Sequence, residues 1–207
     1  MGAFELLAGL TSRVASANEL ADVVDPIVQE IFALGFGLIW LCAVDEATGQ
    51  LATIAVRRDG LDDAGALPAA MAIDPRQPLG RSVRDRRIFN VNDPGALHIF
   101  DRDDDVVPSS TLGLTKAIAE QLRGHPFACV PLIGAGGPVG AVCLGSLYGE
   151  QPIPDELLLQ GVLRAMLDLL ALGLDRANGT RRAARLASSL DKAQATLVGD
   201  APIKALG

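Results

Sequence analysis

Few side chains in this sequence could do chemistry. They are three cysteines (Cys42, Cys129, Cys143), two histidines (His98, His125), an arginine cluster (Arg81, Arg84, Arg86, Arg87) and an acidic run of Asp101, Asp103, Asp104 and Asp105. Thiolate chemistry needs partial exposure and an electropositive setting. All three cysteines instead fall inside apolar runs of strand length, with no Cys-x-x-Cys pair, and read as reduced, small core residues. Arg81 follows Pro78 in the first turn of an expected short helix, where free backbone N–H groups favour anions; a charged surface helix is the plainer reading. The acidic run offers oxygen ligands for a divalent cation, but it lacks the glycine and terminal glutamate of a calcium loop and suits a solvated loop better. No residues suggest a nucleophile–base triad or a carboxylate pair, so the chain reads as a non-enzyme.

These residues must be positioned by a sheet. Residues 127–146 (FACVPLIGAGGPVGAVCLGS) form two apolar runs around Gly134-Ala135-Gly136-Gly137. Apolar runs of this length bounded by Gly or Pro look like strands buried on both faces, so the hairpin is expected mid-sheet with a cover on each side. Residues 36–44 and 50–58 form a second antiparallel hairpin around the turn 45–49. A little strand is expected within 68–73, a short helix from Pro78, a strand over 88–93, a long acidic connection over 95–108, and a helix over 110–122 that stops at Gly124.

Helices flank the sheet. Residues 4–14 carry Leu6, Leu7, Leu10 and Val14 at helical spacing. Asn18 is a candidate N-cap for a second stripe: Leu20, Val23, Val24, Ile27, Val28, Ile31. Its phase carries across Pro26, which predicts one kinked helix ending near Leu34-Gly35. From Asp155, a candidate cap, Leu159, Val162, Leu163, Met166, Leu169, Leu170 and Leu174 mark a long terminal helix that Asn178-Gly179 is expected to weaken. An Ala- and Arg-rich helical extension follows. The element order is an α+β pattern: a central antiparallel β-sheet with helices on both faces and a long C-terminal helix.

The chain has 207 residues, 49% of them hydrophobic, enough for one ordinary core plus an appendage. Its net charge of −7 argues against direct nucleic-acid binding or attachment to an anionic membrane surface. Apolar runs fall short of the roughly 20 residues that span a bilayer. The N-terminus has no basic n-region, so a cytoplasmic setting is expected.

Four pieces in this order resemble a GAF domain, the small-molecule sensor module of bacterial signalling proteins: LIWLCAVDEATGQL with its preceding helix, PLGRSVRDRRIFNVND, FACVPLIGAGGPVGAVCLGS, and the helix beginning PDELLLQGVLRAMLDLLAL. The resemblance implies that the terminal helices cover one face and make a homodimer, with Leu159, Leu163, Met166 and Leu170 as candidate interface residues. It implies a pocket on the other face, walled by Trp40, Cys42, Phe127, Cys129 and Cys143, with Arg81, Asn90 and Asp93 as polar partners. Strand alternation puts Trp40 with Cys42, and Phe127 with Cys129, without saying whether all share one face.

The family's ligand signatures are not matched. The cyclic-nucleotide pattern lacks its Asn-Lys pair; no Cys-His pair suits a bilin; only His98 could serve haem; and strand cysteines fit a methionine sulfoxide reductase poorly. The ligand is therefore an unidentified small molecule and the cofactor unknown. The resemblance divides the chain into an N-terminal helix (1–17), the sensor domain (18–178) and a helical linker (179–207) toward an output module. Residues 197–206 resemble the opening of an AAA+ activator module; a kinase or cyclase is an alternative. A ligand-free dimerisation scaffold is the second functional expectation.

Overall fold

The computed structural model describes residues 2–17, 19–58, 67–100, 112–146 and 151–199. Helices α1 (Ala3–Ser16) and α2 (Leu20–Ala33) precede the hairpin β1 (Leu38–Asp45) and β2 (Gln50–Arg58). Strand β3 (Ala70–Ala72), helix α3 (Pro78–Asp85), strand β4 (Phe89–Val91), a 3-10 turn (Pro94–Ala96) and strand β5 (His98–Phe100) follow. Then come β6 (Gly113–Thr115), α4 (Lys116–Leu122), β7 (Phe127–Gly134), β8 (Gly137–Gly145), α5 (Asp155–Leu159) and α6 (Gly161–Gly199).

Six strands make one sheet in the order β3-β2-β1-β8-β7-β4, with every neighbouring pair antiparallel, so the β7–β8 hairpin is interior as expected. Strand alternation sorts the side chains into two cores. Ile39, Leu41, Ala43, Ala128, Val130, Leu132, Val142 and Leu144 meet the apolar faces of α1, α2 and α6. Trp40, Cys42, Phe127, Cys129, Ala141 and Cys143 point the other way, toward Leu79 and Val83 of α3 and Ile118 and Leu122 of α4. The helices thus cover both faces of an α+β sheet.

Several local expectations change. Helix α2 does run through Pro26, but its N-cap is Glu19, whose backbone N–H donates to the Asp22 carboxylate at 3.2 Å; Asn18 lies outside the described residues. The β7–β8 ladder closes as far as Gly134↔Gly137, leaving a two-residue turn. Residues 113–115 are not helical but pair in parallel with β5, because the Gly113 N–H donates to the Arg76 carbonyl at 2.7 Å and a Cβ there would meet the His98 carbonyl at 2.5 Å. Tertiary pairing overrides the helical tendency of this stretch, and α4 starts only at Lys116.

The terminal helix is two helices. Gly161 takes φ +80 and breaks the chain between α5 and α6, and Asp155 is the first residue of α5 rather than its cap. Helix α6 then runs through Asn178-Gly179 without interruption, with Asn178 itself buried. The modest helix penalty of Asn and Gly, about 1 kcal/mol for Gly relative to Ala, is offset by the anchorage of α6 on either side. Helix α1 joins the same core through Leu10 and Val14, and the Arg176 guanidinium donates to the Val14 and Ala15 carbonyls at 3.1 and 3.0 Å.

Burial overturns most of the expected dimer surface. Leu163, Met166 and Leu170 are 1%, 0% and 0% exposed, packed on the sheet of their own chain, where a partner cannot reach them. Leu159 is 63% exposed, but it sits on α5. Leu170→Ala is therefore expected to cost about 2–5 kcal/mol in urea unfolding, and Leu159→Ala within about 0.5 kcal/mol of nothing. A Leu170→Ala protein of unchanged stability would mean that this side of α6 does not form the core.

Candidate functional site

The five residues predicted to wall a pocket do share one face. Cross-strand pairing sets Trp40 opposite Cys143, Cys143 opposite Cys129, and Cys129 opposite Phe89, a row that crosses β1, β8, β7 and β4. Trp40 is also paired with Val56 on β2. The row is not an open floor. Trp40, Cys42, Phe127, Cys129 and Cys143 are each 2% exposed or less beneath α3 and α4. Trp40 Nε1 donates to Thr53 Oγ1 at 3.0 Å, and that hydroxyl donates onward to the Pro68 carbonyl at 2.6 Å. The indole polar atom is thus consumed inside the protein.

Burial also sets the thiol chemistry. Desolvation raises the Cys42 thiol from 9.0 to about 12, against a smaller opposing effect of the Thr53 hydroxyl. Cys129 is likewise held well above its ordinary value, first by burial and then by the neighbouring Cys143 thiol. Neither offers a thiolate near neutral pH. Among the described residues no three His, Cys, Asp or Glu side chains are placed to hold a metal ion.

The polar candidates are engaged in structure. Arg81 is beyond the free N–H groups of α3: its amide donates to the Gln77 carbonyl at 2.8 Å. Its guanidinium meets Asp85 at 3.0 Å and lies 5.9 Å from the Phe89 ring centre. Asn90 Nδ2 donates to the Ile153 carbonyl and to Asp155, both at 2.7 Å, which ties edge strand β4 to the start of α5. Asp93 accepts the Gly95 N–H at 3.1 Å and caps the 3-10 turn. His98 is exposed on β5 and stacks on Phe100 with ring centres 6.3 Å apart. The Asp101–Asp105 run lies outside the described residues.

Open space lies at the ends of the sheet. A cleft of about 360 Å³ sits where β1 begins and β8 ends, between Phe32, Phe36, Arg58, Arg123, His125 and Ser146. A second, of about 610 Å³, lies beside β4 between Asn90, Ile133, Leu159 and Arg164. Of the residues predicted to bind a ligand, only Asn90 lines either. In the first cleft, the Arg58 guanidinium donates to the side-chain and backbone oxygens of Gln121, the latter at 3.0 Å. Burial, and then the positive charge of Arg123, make that guanidinium less ready to hold its proton.

This arrangement, a six-stranded antiparallel sheet with α1, α2 and α6 on one face and α3 and α4 on the other, can be compared with solved structures. The GAF domain of an Acinetobacter phosphoenolpyruvate-protein phosphotransferase superposes with TM-score 0.57 at 13% identity, covering 88% of this chain and 99% of that one. The fold is that of a GAF domain. A GAF/HD-domain protein from Geobacter sulfurreducens gives TM-score 0.57 at 21% identity over 79% of this chain and 97% of that one. The free methionine-R-sulfoxide reductase of Neisseria meningitidis, solved with its substrate, gives 0.55 at 18% identity over 88% and 91%. No family model and no curated protein matches the sequence. Among these neighbours the GAF fold thus occurs both as a domain of a phosphotransferase and as a reductase, and at these identities the likeness concerns fold alone.

Sequence reasoning missed the residues of the sheet-end cleft. Arg58 and Ser146 close two strands, and Arg123 ends a helix in a left-handed conformation with φ 52, so no local pattern links them. The raised Cys42 pKa gives a pH prediction. Below about pH 9 the thiol is protonated in both states; above it the unfolded thiol ionises first, so stability falls as pH rises from 9.0 toward 12. Denaturant unfolding across that window is expected to show a smaller loss in Cys42→Ala than in the parent. Equal losses would place the Cys42 thiol in contact with water.

Proposed function

We propose that the chain is a non-catalytic regulatory GAF domain that reports the state of its sheet through α6. One observation carries this reading: α6 is a single 39-residue helix that begins in the core and continues as an exposed rod. Leu163, Met166, Leu167, Leu170 and Leu174 are buried, whereas residues 181–192 are exposed throughout. At the crossover the helix is clasped by both hairpin turns. Asp175 accepts the Ala135 N–H of the β7–β8 turn at 2.9 Å, and Arg182 pairs with Glu46 of the β1–β2 turn, its Nε 2.7 Å from the carboxylate. Gly134 is required there, since a Cβ would come within 2.6 Å of Asp175 Cγ. A shift of either hairpin would bias α6, which is how a two-state element carries a coupling free energy.

The exposed part of α6 also suggests the partner. Helices that lack tertiary packing are marginal in water. Leu186 and Leu190 stand one turn apart, 66% and 65% exposed. In our reading they meet the same residues of a second copy, and the helix leads toward an output module of the AAA+, kinase or cyclase type. The three free cysteines, with Cys129 and Cys143 facing each other unbridged, favour a reducing cytoplasmic setting. Among the described residues, no helix is long and apolar enough to cross a membrane.

A second reading, a scaffold without a ligand, draws support from the sealed face under α3 and α4. Native mass spectrometry separates the two: a retained small molecule excludes the scaffold. For the dimer, Leu186→Glu with Leu190→Glu is expected to convert a sedimenting dimer to a folded monomer whose core amides keep their hydrogen-exchange protection. A parent protein that sediments as a monomer, or a double variant that still dimerises, would remove this helix as the interface.

A further inference from the structure

The sheet-end cleft combines features that no other part of the described structure brings together. Two guanidinium groups from distant segments, Arg58 at the end of β2 and Arg123 at the end of α4, line it side by side. Arg58 is anchored through Gln121, yet two N–H contacts use only part of a guanidinium's five donors. Arg123 is exposed and has no ion-pair partner among the described residues, and the charge that Arg58 senses from it is of like sign. Among the described residues no carboxylate lines the cleft beside these two cations, an unusual arrangement in a chain of net charge −7. Ser146, only 5% exposed, lines the same cleft, and among the described residues its hydroxyl makes no hydrogen bond. Phe32 and Phe36 supply an apolar wall, with Arg57 5.6 Å from the Phe32 ring centre.

We propose that this cleft is a binding site for a small oxyanion, a carboxylate or phosphate carried on an apolar group, with Arg58 and Arg123 holding the anion, Ser146 donating to it, and the phenylalanines receiving the apolar part. Guanidinium groups suit both anions because their paired N–H donors match two oxygens at once. A volume of about 360 Å³ admits a metabolite of one ring or a short chain. The site lies apart from the sealed Trp40–Cys129 face, yet its floor is continuous with β1 and β8, through Leu38 and Gly145. The inference rests on the regulatory reading for its purpose, since it supplies the ligand class, and not for its chemistry.

The test is titration calorimetry of the full chain with benzoate, phenyl phosphate and neutral benzamide. One or both anions are expected to bind at a single saturable site, with benzamide silent; which anion binds separates the carboxylate from the phosphate source. Arg123→Gln, an exposed change that leaves the core untouched, and Arg58→Gln are each expected to weaken binding about 10-fold or more. Arg86→Gln, which removes the same charge elsewhere, should leave it unchanged. No binding of either anion at about 10 mM, equal binding of benzamide, or equal weakening by Arg86→Gln would overturn the proposal. Sedimentation of the same samples keeps the two ideas apart: a dimer that binds neither anion refutes only the ligand class, and an anion-binding monomer refutes only the helical signalling route.

Discussion

The β7–β8 hairpin is buried on both faces, and that constraint shapes everything around it. Strand β4 pairs with its residues 127–129 and β1 with its residues 140–144, but its side chains alternate between two dry layers, and each layer has to be supplied from elsewhere in the chain. The apolar faces of α1, α2 and α6 complete one layer. The other is completed by α3 and α4, which are far shorter, at 8 and 7 residues. The shorter cover is pinned by polar contacts. The Arg76 side chain pairs with Asp74 at 2.8 Å and lies over Phe100, while the α3 backbone approaches Asp74 so closely that only glycine fits at position 80.

Much of this was legible in the sequence, because it depends on local periodicity. The apolar run and glycine turn at 127–146, the phase of the stripe through Pro26 and the Pro78 helix start all carry their own signal. What could not be read depends on register and on depth. Alternation along one strand pairs Trp40 with Cys42, but only the observed register shows that Cys143 and Cys129 join them. A helical stripe such as Leu163–Met166–Leu170 shows that one side is apolar without showing whether a sheet or a second copy covers it. Here the sheet does. The same limit hid the Arg58–Arg123 pair, since residues 65 positions apart meet only once β2 and α4 are folded.

The functional picture follows from the same geometry. The face expected to receive a ligand has instead been filled by the protein's own indole, phenyl and thiol groups, and burial keeps Cys42 and Cys129 protonated. Open space lies beside β4 and at the end of the sheet where β1 starts and β8 stops, and the second of these holds the Arg58–Arg123 pair, with no carboxylate lining it among the described residues. The opposite ends of those strands lead into the two hairpin turns that grip α6. The cleft and the helix contacts thus lie at opposite ends of the same two strands, β1 and β8, which is the route that the proposed regulatory reading requires.

Hydrogen exchange tests this link between sheet and helix most directly. Glu46→Gln and Asp175→Asn each loosen one turn from α6 while leaving both cores intact. Faster exchange confined to about residues 175–190, with the amides of β1, β7 and β8 still protected, is the expected result. Unchanged exchange along α6 in both variants would contradict the claim that the sheet holds its helix through the hairpin turns.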